Sequence, residues 1–390
     1  MGRKSKLRQQ RKQSASVALQ NPLTQQSLTG ENNVITANLV LKTSKSTPLN
    51  WRDLIACTDS ELSGFDIAAL NLACAAGLPG TSQLDIQSCL RTLDSWAKQI
   101  AKATKRCQWF RQNPQKYKGS FNLFRVHIMI SVLSVRFGFR YKPEMIYYNE
   151  NKETFFRAEE LFIHGLIEDK GGCCSSMPVL FIAVGRRLGY PLKLVRAYSH
   201  YFVRWDSPQE RFNIELSNSG GINCYTDDYY RSWPEPISPE QERDYCLLSN
   251  LSPSRELASF LFERASVWHC VANYRQAVDA LIWASVLEPD NLFYNSMISW
   301  EFRKWNNYLR ILMPDLQPEI RYRIPPECRY PADKVSAEVE REYVCLDLLQ
   351  DLATAPSHQE MWQRLRPAKP GSWPRGVPRT IIMKLNKSEK

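Results

Sequence analysis

Two vicinal cysteines, one histidine and one glutamate are spaced along this chain so that they could act together as a thiol nucleophile with its base. Cys173 and Cys174 follow Gly171-Gly172 and precede Ser175-Ser176-Met177-Pro178. A thiolate is the reactive form of cysteine, and a cysteine at a helix start has its pKa lowered by the backbone N–H groups there and by a neighbouring imidazolium. Met177, Leu180, Phe181, Val184 and Leu188 recur at helical spacing, and Gly189-Tyr190-Pro191 is a stop signal. Pro178 fits only in a first turn, so the spacing predicts a helix that begins at or near Cys174. Cys174 is then the candidate nucleophile, and Cys173 is a small buried hydrophobe beside it.

A thiol nucleophile needs a base within hydrogen-bond reach and a third group that orients the base. Leu192 to Ala197, His200 to Asp206 and Arg211 to Leu216 alternate as strands, with Ser207-Pro208-Gln209-Glu210 as a turn. If that turn pairs Asp206 with Arg211, Phe202 faces Glu215 across the hairpin and His200 lies diagonally on the same sheet face. A shift of one residue would separate them. The candidate site is therefore Cys174, His200 and Glu215. In the same register Arg204 faces Asn213, either as a polar surface pair or as part of a substrate rim. His164, in the apolar setting Phe162-Ile163-His164-Gly165-Leu166, reads as a structural hydrogen-bonding residue or a lining of the cleft. His127, His269 and His358 have no partner pattern.

The surrounding chain supports a globular reading. With 390 residues and 43% hydrophobic content it can bury one large core or two smaller ones. No apolar run approaches the length needed to cross a bilayer, and no secretion signal is legible, so we expect a cytoplasmic protein without membrane insertion. Its eleven cysteines are irregularly spaced, as reduced thiols would be, and no metal-ligand or cofactor motif accompanies them. The net charge of +11 sits at the ends: six basic residues and no acid within 1–30, and eight against Glu389 within 364–390, leave the body near −2. Such arms make weak anionic contacts; no sequence-reading motif joins them.

Five segments follow. A basic tail without apolar periodicity covers 1–48, and a helical layer covers 49–150, with helices expected at Asp66–Cys74, Leu84–Lys105 and Phe121–Phe137. The cysteine core, helix then antiparallel strands, covers 151–249 and gives an α+β order. Helices return at 250–310, and a Pro-rich basic extension covers 311–390. Within 250–310, Ala265, Tyr274, Ala277, Ala284 and Pro289 match the positions of one tetratricopeptide repeat, closed by Leu287-Glu288-Pro289-Asp290-Asn291. A single repeat must dock on something, and Leu292 to Leu309 supplies a helix whose Phe293, Trp300, Phe302 and Trp305 read as core.

The stretch from Gly171 to Val195, then Ser199 to Asp206, then Arg211 to Glu215, resembles the Cys, His and acidic motifs of the transglutaminase-like superfamily, most closely its SirB-related bacterial branch. Leu161 to Leu166 belongs to the same likeness, which runs from about Leu62 to Asn291. It implies a papain-like core with an antiparallel sheet and N-terminal helices, followed by a helical tetratricopeptide segment. It also implies Cys174 as nucleophile, His200 as base and Glu215 as orienting acid, where the superfamily usually has aspartate. The implied activity is acyl transfer or amide hydrolysis on a protein or peptide; the alternative is a non-catalytic scaffold that recruits a partner through its repeat helices.

Overall fold

The computed structural model describes residues 48, 50–105, 108–142, 147–148, 154–217 and 223–312. The basic stretches at 1–30 and 364–390 lie outside these residues, as does nearly all of the extension expected after 311. In chain order the helices begin with α1 (Asp59–Leu62), α2 (Ile67–Ala75), α3 (Ile86–Thr104), α4 (Gln108–Gln112) and α5 (Phe121–Ser131). Strands β1 (Arg140–Tyr141), β2 (Tyr147–Tyr148) and β3 (Thr154–Phe155) precede α6 (Ala158–Leu161) and α7 (Ile163–Asp169). Then come β4 (Gly171–Gly172), α8 (Ser176–Arg187), β5 (Leu192–Ala197), β6 (His200–Asp206) and β7 (Arg211–Ile214). The last helices are α9 (Asp227–Ser232), α10 (Pro239–Asp244), α11 (Pro253–Cys270), α12 (Tyr274–Leu287) and α13 (Leu292–Leu312). None of the described helices is long and apolar enough to cross a membrane.

Local sequence explains most of these boundaries. Thr58 and Glu61 form a reciprocal capping box at α1, and Ser238 and Gln241 form another at α10, each satisfying donors the helix cannot pair internally. Asp66 caps α2 through the Ala68 N–H. The apolar run from Phe121 to Phe137 is not one α-helix: α5 ends at Ser131 and passes into a π turn over Val132–Arg136. The expected helix at Cys174 starts two residues later, with Ser175 as its cap and Pro178 in its first turn.

Contacts group the chain into two compact units, each collecting stretches that are distant in sequence. The described part of the first unit comprises α3 from Leu90 onward, residues 108–142, and 170–217 with 223–250. Its three-stranded antiparallel sheet has the order β5-β6-β7. β5 and β6 join through the tight turn Tyr198-Ser199, with Ser199 in the left-handed region. β6 and β7 pair Asp206 with Arg211 and Val203 with Ile214, the register that the Ser207–Glu210 turn predicts. Helix α8 packs on this sheet. A Cβ at Gly185 would lie 2.2 Å from the Leu192 side chain, so the missing side chain permits the close approach of helix and strand.

The second unit is helical, apart from the short β2–β3 pair. α11 and α12 pack along each other, and α13 packs on α12. Ala265, Ala277 and Ala284 are buried there, as are Phe302 and Trp305. Tyr274, expected inside, is half-buried, and Trp300, expected in the core, is half-buried at the edge of a cavity. Arg264 donates to the carbonyls of Cys74 and Ala76 at 2.7 and 2.9 Å, which satisfies the C-terminal end of α2.

Candidate active site

The first unit brings its acid and base together by the register of one hairpin. His200 opens β6 and Glu215 follows β7, and both are buried. His200 Nε2 lies 3.0 Å from Glu215 Oε2. Two further donors fix the carboxylate: the Tyr230 hydroxyl at 3.0 Å to Oε2 and the Ser217 N–H at 2.8 Å to Oε1. Burial by itself would raise the Glu215 carboxyl, but the bonds from His200 and Ser217 outweigh it and hold the group below the ordinary carboxylate range. Glu215 is therefore an anion that orients the imidazole. The ring is also held by contact: Trp233 meets it edge-on with centroids 4.8 Å apart, and Tyr230 stacks on Phe202 at 3.8 Å behind it.

The cysteines lie on the approach to α8. Cys173 is buried and Cys174 is half-buried. The Cys173 sulfur meets two groups at the helix start: Ser175 N–H donates to it at 3.4 Å, and the Ser176 hydroxyl lies 3.9 Å away. The Cys174 thiol bonds to the Cys173 sulfur, and this, with the N–H groups of Ser175 and Ser176, draws the Cys173 thiol below its ordinary range against the effect of burial. Cys173 is thus not the inert hydrophobe that sequence alone suggests. By contrast, burial pushes Cys74 up to about 12 and Cys224 up to about 11.

Tyr141 is a site residue that sequence reasoning missed. β1 and β4 pair in parallel with Tyr141 opposite Gly172, which sets the tyrosine two residues from Cys174 along the neighbouring strand. Its hydroxyl bonds to the Cys174 side chain. Burial, the charge of Cys174, Cys173 and Glu215, and that bond all push its pKa upward, so it stays protonated as a donor. One hydroxyl therefore senses both the cysteine pair and the Glu215 that holds His200. A parallel bridge between segments thirty residues apart leaves no local sequence signal.

The other candidates have different places. Arg204 is not at a rim but fully buried. It donates to Asn213 Oδ1 at 2.7 Å, the Leu248 carbonyl at 3.0 Å, Asn250 Oδ1 at 3.2 Å and Asp227 Oδ1 at 2.6 Å. Asn213 is buried as well, and its amide donates to the Tyr225 carbonyl and Asp227. The pair is a structural clamp between the hairpin and the segments that follow it. His164 belongs to the second unit, on α7, where burial depresses its pKa and its Nδ1 has no hydrogen-bond partner among the described residues. Gly165 next to it is required: a Cβ there would lie 2.1 Å from the Glu159 carbonyl oxygen. His269, which has no partner pattern in the sequence, pairs with Glu301 at 2.9 Å. No group of three or more metal-ligating side chains occurs among the described residues.

F-box only protein 21 of Mus musculus is 27% identical over 73 residues, which is 19% of this chain and 12% of that protein. The Homo sapiens protein of the same name is 26% identical over the same length, again 12% of its own. The chain thus spans a small fraction of the curated relatives it matches. No solved structure matches it. Residues 87–253, the stretch that carries Tyr141, Cys173, Cys174, His200, Glu215 and Tyr230, match the family model described as Transglutaminase-like superfamily.

Proposed function

We propose that the first unit carries out thiol-dependent acyl transfer or amide hydrolysis on a protein or peptide, with Cys174 as nucleophile, His200 as base and Glu215 as the acid that orients it. The observation that carries this reading is the buried His200–Glu215 bond of 3.0 Å, in the same unit as the Cys174 side chain that bonds to the hydroxyl of Tyr141. Glu215 engages Nε2, which leaves Nδ1 as the ring nitrogen for the thiol. Nδ1 takes the Cys174 proton as the sulfur attacks the amide carbonyl, and returns it to the leaving amine as the carbon–nitrogen bond breaks. Water or a second amine then opens the thioester. Tyr141, kept protonated beside Cys174, is suited to donate to the oxyanion that forms there.

The test is competitive alkylation of the folded protein at neutral pH, read residue by residue by mass spectrometry. Cys174 is expected to label faster than Cys173 and Cys57, and His200→Ala to remove that advantage. Equal labelling of the three thiols would rule out Cys174 as the nucleophile. We also assign the finer kinship, the SirB-related branch and a tetratricopeptide character for 250–310, on the motif likeness and the packed helices α11 to α13. Those helices favour a second reading, a scaffold that recruits a protein partner. The two separate cleanly: Cys174→Ser abolishes the first function and leaves partner capture intact in the second.

A further inference from the structure

The second unit contains a cavity of about 420 Å³ among α11, α12 and α13, within the size range of small-ligand sites. We propose that it binds a neutral, planar aromatic group bearing one N–H or O–H donor, of the indole or phenol type. Phe156, Phe262, Leu281 and Met297 give it apolar walls, and Trp300 lines it as well. One end of the Phe156 wall is fixed, because the Phe156 N–H donates to the Cys270 sulfur at 3.1 Å.

The polar groups decide what can enter. Glu301 lines the cavity and is only 2% exposed. Among the described residues its one hydrogen-bond partner is the His269 Nδ1, which lies 2.9 Å from one oxygen and 3.1 Å from the other. A single N–H shared by two carboxylate oxygens leaves acceptor capacity, and a carboxylate can only accept. An entering group must therefore donate. Lys304 lines the same space, with its ammonium 5.3 Å over the Trp300 ring. It already occupies that cation–π position, and with Glu301 it gives the lining one charge of each sign, so net charge favours neither a cation nor an anion. His269, tilted against Trp300 with centroids 4.5 Å apart, cannot turn to fill the space without giving up Glu301. What remains is an uncharged donor on a flat apolar body.

Such a group comes either from a free small molecule or from a tryptophan or tyrosine side chain of a peptide. Calorimetric titration of the full chain with indole, N-methylindole and N-acetyltryptophanamide tests the site and separates the sources. Indole is expected to bind, and N-methylindole, which has lost the donor, to bind at least about tenfold more weakly. Glu301→Leu should bring the two ligands to equal affinity. Ala265→Leu, which fills the cavity from α11 and leaves Glu301 in place, should abolish binding of both; melting curves check that each variant folds. Tighter binding of the tryptophanamide marks a peptide source, and binding of indole alone marks a small molecule. Equal affinity of indole and N-methylindole for the unaltered protein, or no binding of any of the three at about 1 mM, would overturn the proposal.

Discussion

Replacing Glu215 with glutamine isolates the charge that orients the candidate base. The carboxylate accepts from His200, Tyr230 and Ser217 at 3.0, 3.0 and 2.8 Å and is 2% exposed. Glutamine keeps one acceptor for the Ser217 N–H, and its amide can donate to the Tyr230 oxygen, since a phenol both gives and takes. The packing therefore survives. The loss is the charge-assisted bond to His200, and hydrogen bonds to charged groups contribute about 1.5–3 kcal/mol. At about 1.4 kcal/mol per tenfold, the Cys174 labelling rate should fall roughly tenfold to a hundredfold at pH 7. The expected direction of the accompanying pH shift follows from the same charge. The carboxylate's charge favours transfer of the thiol proton towards the ring, so the variant should need a higher pH for the same labelling rate. Stopped-flow alkylation across the pH range, with the labelled residue confirmed by peptide mass, measures both. An unchanged rate and profile in a folded Glu215→Gln protein would refute the reasoning, because nothing else in the substitution alters the cysteines.

Arg204→Leu removes a fully buried side chain that makes four hydrogen bonds and leaves the Asn213 Oδ1 and the Leu248 carbonyl without that donor; it should destabilise the first unit by about 3 kcal/mol, read as a lower urea midpoint. Ala277→Arg places a charge at a position with 0% exposure in α12, and the overpacking and desolvation together should cost on the order of 3 kcal/mol or more, seen as a lower melting temperature. The depressed Glu215 carboxyl contributes stability that is fully present above the ordinary value of 4.5 and is lost as pH falls through the folded value. The stability gap between the unaltered protein and Glu215→Gln, measured by urea unfolding, should therefore be constant above about pH 5 and shrink below about 4.5.

The parts of the site that follow local rules were readable in the sequence. A four-residue turn fixed the β6–β7 register, and the alternation of apolar residues told which face His200 and Glu215 share. The approximate limits of α2 and α3 followed from helical spacing. What escaped depends on contacts that no local pattern encodes. Tyr141 reaches Cys174 through a parallel bridge, Tyr230 reaches Glu215 from a helix beyond the hairpin, and Glu301 meets His269 from a different helix of the second unit. Arg204 and Asn213 were paired correctly but placed at the surface, because two polar residues across a strand pair look alike whether water or Asp227 completes them. The helix starts near Cys174 as its spacing implies, but which of the two sulfurs meets the Ser175 N–H was not legible.

The β1–β4 bridge also has a topological meaning. The Arg140 N–H bonds to the Lys170 carbonyl, and the Lys142 N–H to the Gly172 carbonyl, each at 2.9 Å. These two bonds tie a knot-like neck at the point where the chain leaves the first unit after Lys142 and re-enters it at Lys170. They keep Tyr141 opposite Gly172, so Tyr141 and Cys174 stay in step at the point where the chain re-enters the first unit.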